Sequence, residues 1–394
     1  MKIHRVDNRE VWVDYLKVMI TALVVAHHSM LAYTTFARFD PETYINSTHP
    51  IVDSHRIFLL DVLQNFNDVF FMALMFLIGG LFISKSIEKK GYFTFVRDRF
   101  YRLLMPFFLL GTLFMLIAYF PSFYVANQSL DLRIYITDFF YQQKWPTGPT
   151  WFIGILFCFS LLVLPFQLYL KIKRNEVSKF IISLGNRPFF LSLMMFSITW
   201  LLYVPLIFLV DPGTWVGYGP FDFQLSRVLL YYGYFSIGVI LGNTDFNNGI
   251  FSLKSGLVGL WKTWIFIAVF IYIALITIGD PLKDMVNTKE LKEVNAKLIY
   301  YTVHVASCVF SSIAFLITSR KFLDFNMSCW ECLRKNSYLT YLVHYIFVIW
   351  IQFLLLDLNV SAFVKFIITF ISSFTLSLIV ATLLRKVKPI KKYL

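Results

Sequence analysis

The sequence predicts an all-α, polytopic transmembrane helix bundle, because its composition is too apolar for a soluble protein of this length. Of the 394 residues, 58% are hydrophobic and only 15% are charged, whereas soluble domains carry about 25% charged residues. Runs of about 20 apolar residues, the length that spans a bilayer, recur along the chain. The basic residues concentrate in alternate connecting segments, as membrane topology requires.

Ten segments are long and apolar enough to be spanning helices, and neither a soluble domain nor an internal repeat interrupts them. They are residues 12–35, 64–84, 101–121, 150–170, 188–210, 225–243, 259–279, 298–319, 337–357 and 362–384. The whole chain, residues 1–394, is therefore expected to form a single membrane domain.

The distribution of lysine and arginine predicts the orientation of the bundle. With the N-terminus in the cytoplasm, the cytoplasmic segments hold 25 of the 36 basic residues, and the outer segments hold 9. By the positive-inside rule both termini are cytoplasmic. The formal charge of +13 then reflects topology, and no nucleic-acid partner is needed to explain it. Two long outer loops, 36–56 and 121–149, either cover a substrate entrance or are plain connections.

The first helix carries ionisable residues in an otherwise apolar run, DYLKVMITALVVAHHSM (14–30). Asp14 and Lys17, three residues apart, can form an ion pair on one face. His28 follows Lys17 by eleven residues, which is about three turns, so it lies on the same face about 16 Å further along the axis. His27 points about 100° away.

Charged groups inside a membrane are costly, so this stripe is a candidate functional site. The structural alternative is an ion pair plus a histidine that hydrogen-bonds a neighbouring helix. We favour the functional interpretation, with His28 as the acid–base group, because imidazole exchanges protons near neutral pH. His27 is assigned to packing or to support of His28.

Two further segments hold polar candidates. Asn67 and Asp68 stand near the predicted start of the second helix, where they either line an outward-facing cavity or cap the helix. The Gly79-Gly80 pair later in that helix permits a close helix contact or a kink.

Arg99 and Arg102 lie at the cytoplasmic mouth of the third helix, followed by Pro106 in its first turns. Because they are three residues apart, the two guanidiniums share a face, where they can bind phosphate oxygens in forked geometry. The alternative is that they are interfacial anchors whose charged ends reach the headgroup region.

Three aromatic residues complete the candidates for substrate binding. Trp151 is expected at the outer start of the fourth helix, either as a membrane-belt residue or as a wall on which a sugar stacks. In the ninth helix, Tyr341 and His344 either line a substrate site or hydrogen-bond between helices. The Cys329-x-x-Cys332 pair lacks two further ligands at suitable spacing, so no metal site is predicted.

Taken in order, these segments resemble the acyltransferase-3 family of integral membrane acyltransferases, which includes glucan-biosynthesis protein C and the O-antigen and peptidoglycan O-acetylases. The first motif is a basic residue, ten others and a histidine, here Lys17 to His28. The second is R-x-x-R, here Arg99 to Arg102. FFMALMFLIGGLF, WFIGILFCFSLL and YLTYLVHYIF are similar to further family segments, and the resemblance spans nearly the whole chain.

The sequence departs from the family pattern at two places. Lys17 stands where the family usually has arginine, which retains the charge but loses the planar fork. No glutamate follows Trp151 in the fourth segment, a form that looks more like the glucan-modifying branch.

The resemblance implies a membrane-bound O-acyltransferase that moves an acyl group, acetyl or succinyl, from cytoplasmic acyl-CoA to a hydroxyl of an extracytoplasmic glycan or lipid-linked saccharide. It implies a multi-pass protein of the bacterial inner (plasma) membrane, with acyl-CoA as co-substrate and no permanently bound cofactor. Arg99 and Arg102 would hold the CoA phosphates. His28 would act either as general base or as acyl carrier. Lys17, held by Asp14, would orient the donor or stabilise negative charge.

In this interpretation Asn67, Asp68 and Trp151 would face the acceptor. A transporter or flippase for a saccharide or small molecule is the main alternative, since buried charges and a Gly-Gly break also suit a transport pathway. A non-catalytic sensor or scaffold is the third. The acceptor, the acyl chain and the oligomeric state are not predicted.

Overall fold

The computed structural model describes residues 10–141, 145–325 and 328–393 as a bundle of helices. The first half contains α1 (Val11–Leu31), α2 (Phe58–Gly80), α3 (Ile83–Lys90), α4 (Tyr92–Arg99), α5 (Met105–Asn127), α6 (Leu132–Tyr141), α7 (Trp151–Leu162), α8 (Leu164–Ile172) and α9 (Arg174–Gly185). The second half contains α10 (Pro188–Ile207), α11 (Val228–Leu241), α12 (Gly256–Gly259), α13 (Trp261–Asn287), α14 (Glu293–Phe322), α15 (Ser328–Leu355), α16 (Ala362–Leu384) and α17 (Lys388–Tyr393).

The predicted fold class is confirmed, and each of the ten predicted segments contains a helix. In the described ranges, eight helical spans are long and apolar enough to cross a membrane. The predicted sixth segment is a shorter apolar helix, Leu225–Leu241. A small antiparallel hairpin, β1 (Trp215–Tyr218) with β2 (Phe221–Gln224), was not predicted. The cytoplasmic placement of both termini stays a prediction.

Helix α1 lies at the centre of the bundle, because it packs against α2, α14, α15 and α16. Leu16, Ile20 and Val24, spaced four residues apart, are buried in the main apolar core. This spacing places them on one side of the helix. The polar residues of the predicted stripe lie on the adjacent face, roughly 90° around the helix.

The Gly79-Gly80 pair serves a close helix contact. A side chain at Gly80 would collide with the backbone carbonyl of Phe235 on α11, and one at Gly238 would collide with that of Leu77 on α2. Two backbones can approach this closely only where both helices lack a Cβ atom.

Replacing Gly238 by alanine is expected to lower the free energy of unfolding by about 1–3 kcal/mol, the usual cost of overpacking. Denaturant titration in detergent measures the change. Gly259→Ala is the matched control, because the added Cβ meets nothing within 4 Å. Equal stabilities for the two variants would contradict the close contact.

The fourth predicted segment, 150–170, is two helices rather than one. The run Gly148–Leu162 and the helix Leu164–Ile172 meet at an angle of 46°, with Pro165 in the first turn of α8. The bend occurs there because proline cannot donate the hydrogen bond that continues a helix.

Helix α7 also begins within the bundle rather than at its outer surface. The Thr150 hydroxyl lies against Gly111, which is six residues, or about 9 Å, from the start of α5. Tyr341 of α15 donates a hydrogen bond to the carbonyl of Pro149. The segment before α7 therefore descends into the protein, where irregular backbone is tolerated because other helices surround it.

The outer loop 36–56 is fastened to the bundle by buried polar contacts. The Asp53 carboxylate pairs with Lys365 of α16 at 2.6 Å, and both side chains are at most 1% exposed. His49 Nε2 lies 2.8 Å from Gln352 Oε1 of α15. The loop is thus fixed to the end of the bundle that the charge distribution predicts to be outside.

Candidate functional site

A cavity of about 560 Å³, which we call the inner cavity, opens at the end of the bundle where α1 begins and α2 ends. The topology predicted from charge places this end in the cytoplasm. Two carboxylates, Asp14 and Asp98, lie on its wall. The basic side chains on the wall outnumber these two carboxylates. The basic residues are Lys17, Lys90, Arg99, Arg102, Arg334, Lys335 and Arg385. A cavity of this size and charge suits a large anionic ligand.

Asp14 organises the charges on the α1 side of this cavity. Its carboxylate lies 3.4 Å from Lys17 Nζ, which confirms the predicted ion pair, and 3.3 Å from Arg334 Nη1 of α15. Glu331 holds the same guanidinium at 2.7 Å. Arg334 is thereby fixed from two sides, whereas the side chain of Lys17 is 42% exposed and faces the cavity.

Arg99 and Arg102 both line the cavity, as their spacing predicted. Arg99 ends α4, and Arg102 lies in a π-helical turn, Phe100–Leu104, that joins α4 to α5. Arg102 Nε donates to the carbonyl of Tyr393 at 2.9 Å, and Tyr338 donates to the carbonyl of Arg102 at 2.5 Å. Single π-helical turns often occur at functional sites.

Helix α15 leads from the cavity to the predicted histidine. Tyr341 lines the cavity, and His344 follows one turn later. His344 Nδ1 lies 2.6 Å from the carbonyl of Tyr341, so that nitrogen carries the proton and Nε2 has the lone pair. Tyr341 makes the predicted hydrogen bond between segments, but His344 does not, since its Nε2 has no partner among the described residues.

His28 sits in a cluster of rings. Its ring centre lies 5.5 Å from that of His344, 5.1 Å from Tyr345 and 5.2 Å from His27. His28 is half-buried, whereas His27 is buried against Phe71. Within the described chain, Nδ1 of His28 has no hydrogen-bond partner. Such a nitrogen can accept a proton from a bound substrate.

The backbone around His28 is anchored from α15. Gln352 Nε2 donates to the carbonyls of His28, at 3.0 Å, and Ser29, at 3.3 Å. Its amide oxygen faces His49, as described above. Burial lowers the pKa of His49 to about 4, so this imidazole is neutral at neutral pH and adds no charge beside His28.

Asn67 and Asp68 do not cap α2, because the helix begins at Phe58, about ten residues earlier. Asn67 is buried in the bundle. Asp68 forms an ion pair with Arg227 at 2.7 Å, and His304 and His27 lie within electrostatic range of both charges. Asp68 therefore belongs to a polar cluster that approaches the histidines from the outer end.

Trp151 was expected at the outer start of the fourth helix, either as a membrane-belt residue or as a wall on which a sugar stacks, but α7 begins within the bundle. The descent of the preceding segment carries it inward, where its ring lies 6.0 Å from Trp215 and 5.8 Å from Tyr231. It does not line the inner cavity.

The sequence-based site was incomplete. Its largest omissions are Arg334, Lys335 and Arg385 in the inner cavity, and Arg227 beside Asp68. All four had been counted only as loop or terminal charges that report topology. Arg334 is 320 positions from Asp14, and no spacing rule joins residues so far apart.

In the part of the chain that the structure describes, no group of three or more histidine, cysteine or acidic side chains is placed so that it could hold a metal ion. Cys332 is a free, exposed cysteine. The side chain of Cys329, the other half of the C-x-x-C pair, lies outside the described residues.

The apolar helix bundle defines a multi-pass membrane protein with a charged cavity at one end. A family profile described as an acyltransferase domain matches residues 10–385, nearly the whole chain. The chain therefore belongs to the acyltransferase-3 family and is a membrane acyltransferase. Neither the curated proteins nor the solved structures contain a significant match to it.

Proposed function

We propose that this acyltransferase moves an acyl group, acetyl or succinyl, from cytoplasmic acyl-CoA to a hydroxyl of an extracytoplasmic glycan or lipid-linked saccharide. The observation that carries the proposal is the inner cavity, whose basic wall leads along α15 to the half-buried His28. Acyl-CoA is a co-substrate, and no permanently bound cofactor is required. The inner (plasma) membrane is the proposed location, because the cytoplasmic supply of acyl-CoA then meets the basic end of the protein.

The donor is assigned to the inner cavity by charge and by reach. The phosphates of CoA are matched by Arg99 and Arg102, whose planar guanidiniums bind phosphate oxygens in pairs. Thr21 lines the inner cavity, and His28 lies seven residues, or about 10 Å, further along α1. Acyl-CoA fits this arrangement if its phosphates lie at the mouth of the inner cavity and its flexible arm extends towards His28 with the thioester at the end.

His28 is assigned the proton transfer. Its imidazole takes the proton from the acceptor hydroxyl as the hydroxyl oxygen bonds to the thioester carbonyl carbon. The carbon–sulfur bond then breaks, and the thiolate of CoA receives the proton from the imidazolium. Lys17, held by Asp14, orients the donor or stabilises the negative charge that develops during transfer.

The acceptor is assigned to the outer side of His28. Asp68 and its partner Arg227 lie on that side, and His27 connects them to His28. Carboxylate and guanidinium groups can position a hydroxyl by hydrogen bonds. Tyr341 on the wall of the inner cavity and His344 beside His28 connect the two sides from α15, while Asn67 and Trp151 contribute through packing.

The donor assignment predicts a loss of acetyl-CoA binding in the double variant Arg99→Ala/Arg102→Ala. Hydrogen bonds to charged groups contribute about 1.5–3 kcal/mol each, so the dissociation constant is expected to rise at least about 100-fold. Isothermal titration calorimetry on the detergent-purified protein measures it, with succinyl-CoA titrated in parallel.

The matched control is Arg187→Ala/Lys254→Ala, which removes two basic residues of the same predicted side that do not line the cavity. It should bind acetyl-CoA as the wild type does. If wild-type protein bound neither acyl-CoA, the donor assignment would be wrong, and transport without CoA would become the working hypothesis.

A further inference from the structure

A second cavity, which we call the outer groove, opens at the other end of the bundle. It has a volume of about 680 Å³ and lies between the start of α2, the end of α13 and the start of α14. Gly79 of α2 lines the inner cavity and Asn65 lines the outer groove, and the two residues are fourteen positions, or about 21 Å, apart along the helix. The two cavities therefore open at opposite ends of the protein.

The lining of the outer groove combines hydrogen-bonding groups with aromatic rings. Amides, carboxylates and phenol hydroxyls are placed around it by Asp61, Gln64, Asn65, Asn287, Tyr300 and Tyr301. The ring of Phe58 at its edge is 70% exposed. Amides and carboxylates bind hydroxyl groups, and an exposed aromatic face packs against the C–H face of a sugar ring. These features fit a polyhydroxylated ligand.

One face of α2 joins the outer groove to the inner cavity. Successive residues on this face are spaced alternately four and three apart, so all point within about 40° of the same direction. They are Asp61, Asn65, Asp68, Met72, Met75 and Gly79. The first two line the outer groove and the last two line the inner cavity. Asp68 stands between the two cavities.

Helix α14 supplies a parallel row of polar rings from the groove inward. Tyr301 lines the groove, and its ring centre is 6.3 Å from that of His304, one turn deeper. His304 lies within electrostatic range of Asp68 and Arg227, and His27 does too. His27 in turn contacts His28. The polar route from the outer groove thus ends at the proposed reaction centre.

We propose that the outer groove binds the saccharide acceptor, and that the Asp68–Arg227 pair guides its hydroxyl to His28. This rests on the proposed acyl transfer and adds where the acceptor binds. A free envelope saccharide and the head of a lipid-linked saccharide offer the same hydroxyl chemistry. The groove is therefore assigned to the sugar that both contain.

The test compares variants that change the groove with a control on the same helix. Gly279→Trp fills the groove, and Asn65→Ala/Asn287→Ala removes two amides from its wall. Ile273→Trp places the same ring on a half-exposed position of α13 that does not line the groove. Each protein, reconstituted in liposomes, receives labelled acetyl-CoA and one of two acceptors. These are the water-soluble envelope saccharides and the solvent-extracted lipid-linked saccharides of the organism that makes it.

Both groove variants are expected to lose at least tenfold in the rate of saccharide acetylation while binding acetyl-CoA within twofold of wild type. The control should retain both properties, and the acceptor that is labelled identifies the source of the sugar. If the folded groove variants acetylated saccharide at the wild-type rate, the groove assignment would be wrong while the proposed function would stand. The same conclusion would follow if the groove variants lost acetyl-CoA binding together with acetylation. A wild type that neither binds acetyl-CoA nor labels either acceptor would contradict the proposed function, and the acceptor site would fall with it.

Discussion

Alanine in place of His28 is expected to lower the rate of acyl transfer by about 10²–10⁴-fold, the usual contribution of a general acid–base group. The substitution removes a half-buried ring whose Nδ1 makes no hydrogen bond within the described chain, so the fold should survive it. The measurement is the initial rate of label transfer from acetyl-CoA to the envelope saccharides.

Two matched variants separate chemistry from packing. His27→Ala should cost less than tenfold, since His27 is buried against Phe71 and is assigned to support. His55→Ala removes a half-exposed imidazole at the outer end and should leave the rate unchanged. The assignment of His28 would be wrong if His28→Ala kept wild-type activity while binding acetyl-CoA normally.

The two roles of His28 differ in what happens without an acceptor. An acyl carrier exchanges labelled CoA into unlabelled acetyl-CoA, because the acyl group moves to the imidazole and back. A general base does not, since the thioester bond breaks only when the acceptor oxygen attacks. We expect no exchange, and exchange that His28→Ala abolishes would identify an acyl carrier.

Replacing Lys365 by methionine is expected to lower the free energy of unfolding by about 3–5 kcal/mol, because the buried Asp53 carboxylate loses its lysine partner and, among the described residues, keeps only its contacts with His55. Asp53 and Lys365 lie 2.6 Å apart and are almost completely buried, and Lys365 also donates to the carbonyl of Leu356 at 3.2 Å. Denaturant titration in detergent measures the loss.

A second substitution tests whether the loss comes from the pair. Asp53→Asn keeps an oxygen for the backbone N–H of His55, which bonds Asp53 at 2.8 Å, but removes the charge. The double variant Asp53→Asn/Lys365→Met should therefore lose less free energy of unfolding than the two single variants lose in sum. Lys173→Met, which breaks an exposed pair with Glu176, should have no measurable effect. If the free-energy losses of the two single variants added up to that of the double variant, the interaction between Asp53 and Lys365 would be contradicted.

Much of the fold was predictable because it depends on local properties of the sequence. Each of the ten apolar runs contains a helix, and the i,i+3 rule predicted the pairing of Asp14 with Lys17. The start of α7 was not predictable in this way. Its depth is set by contacts of Pro149 and Thr150 with α15 and α5, and hydropathy carries no information about such contacts.

The site was predictable where its residues share one helix. Arg99 and Arg102 were placed together by their spacing, and the interval from Lys17 to His28 by the helical repeat. The ion pair of Asp68 was not predicted, because its partner, Arg227, is 159 positions away. The same holds for Arg334, whose role depends on how α15 packs against α1. Sequence periodicity predicts which residues share one side of a helix, but it does not predict which residues of other helices contact that side.

The shared face of α2 has an electrical consequence. Asn65 borders one cavity and Met75 the other, so only about 15 Å of helix separates them, half the thickness of a bilayer's hydrocarbon core. Water in both cavities would concentrate the transmembrane voltage across that short layer, where a moving elementary charge changes its energy by about 2.3 kcal/mol per 100 mV. In the proposed transfer, the phosphates of CoA stay on the cytoplasmic side of this layer. An acetyl group crosses without charge, so the resting potential of the cell neither drives nor opposes its transfer, whereas a succinyl group would carry its carboxylate across this layer and its transfer would depend on the voltage.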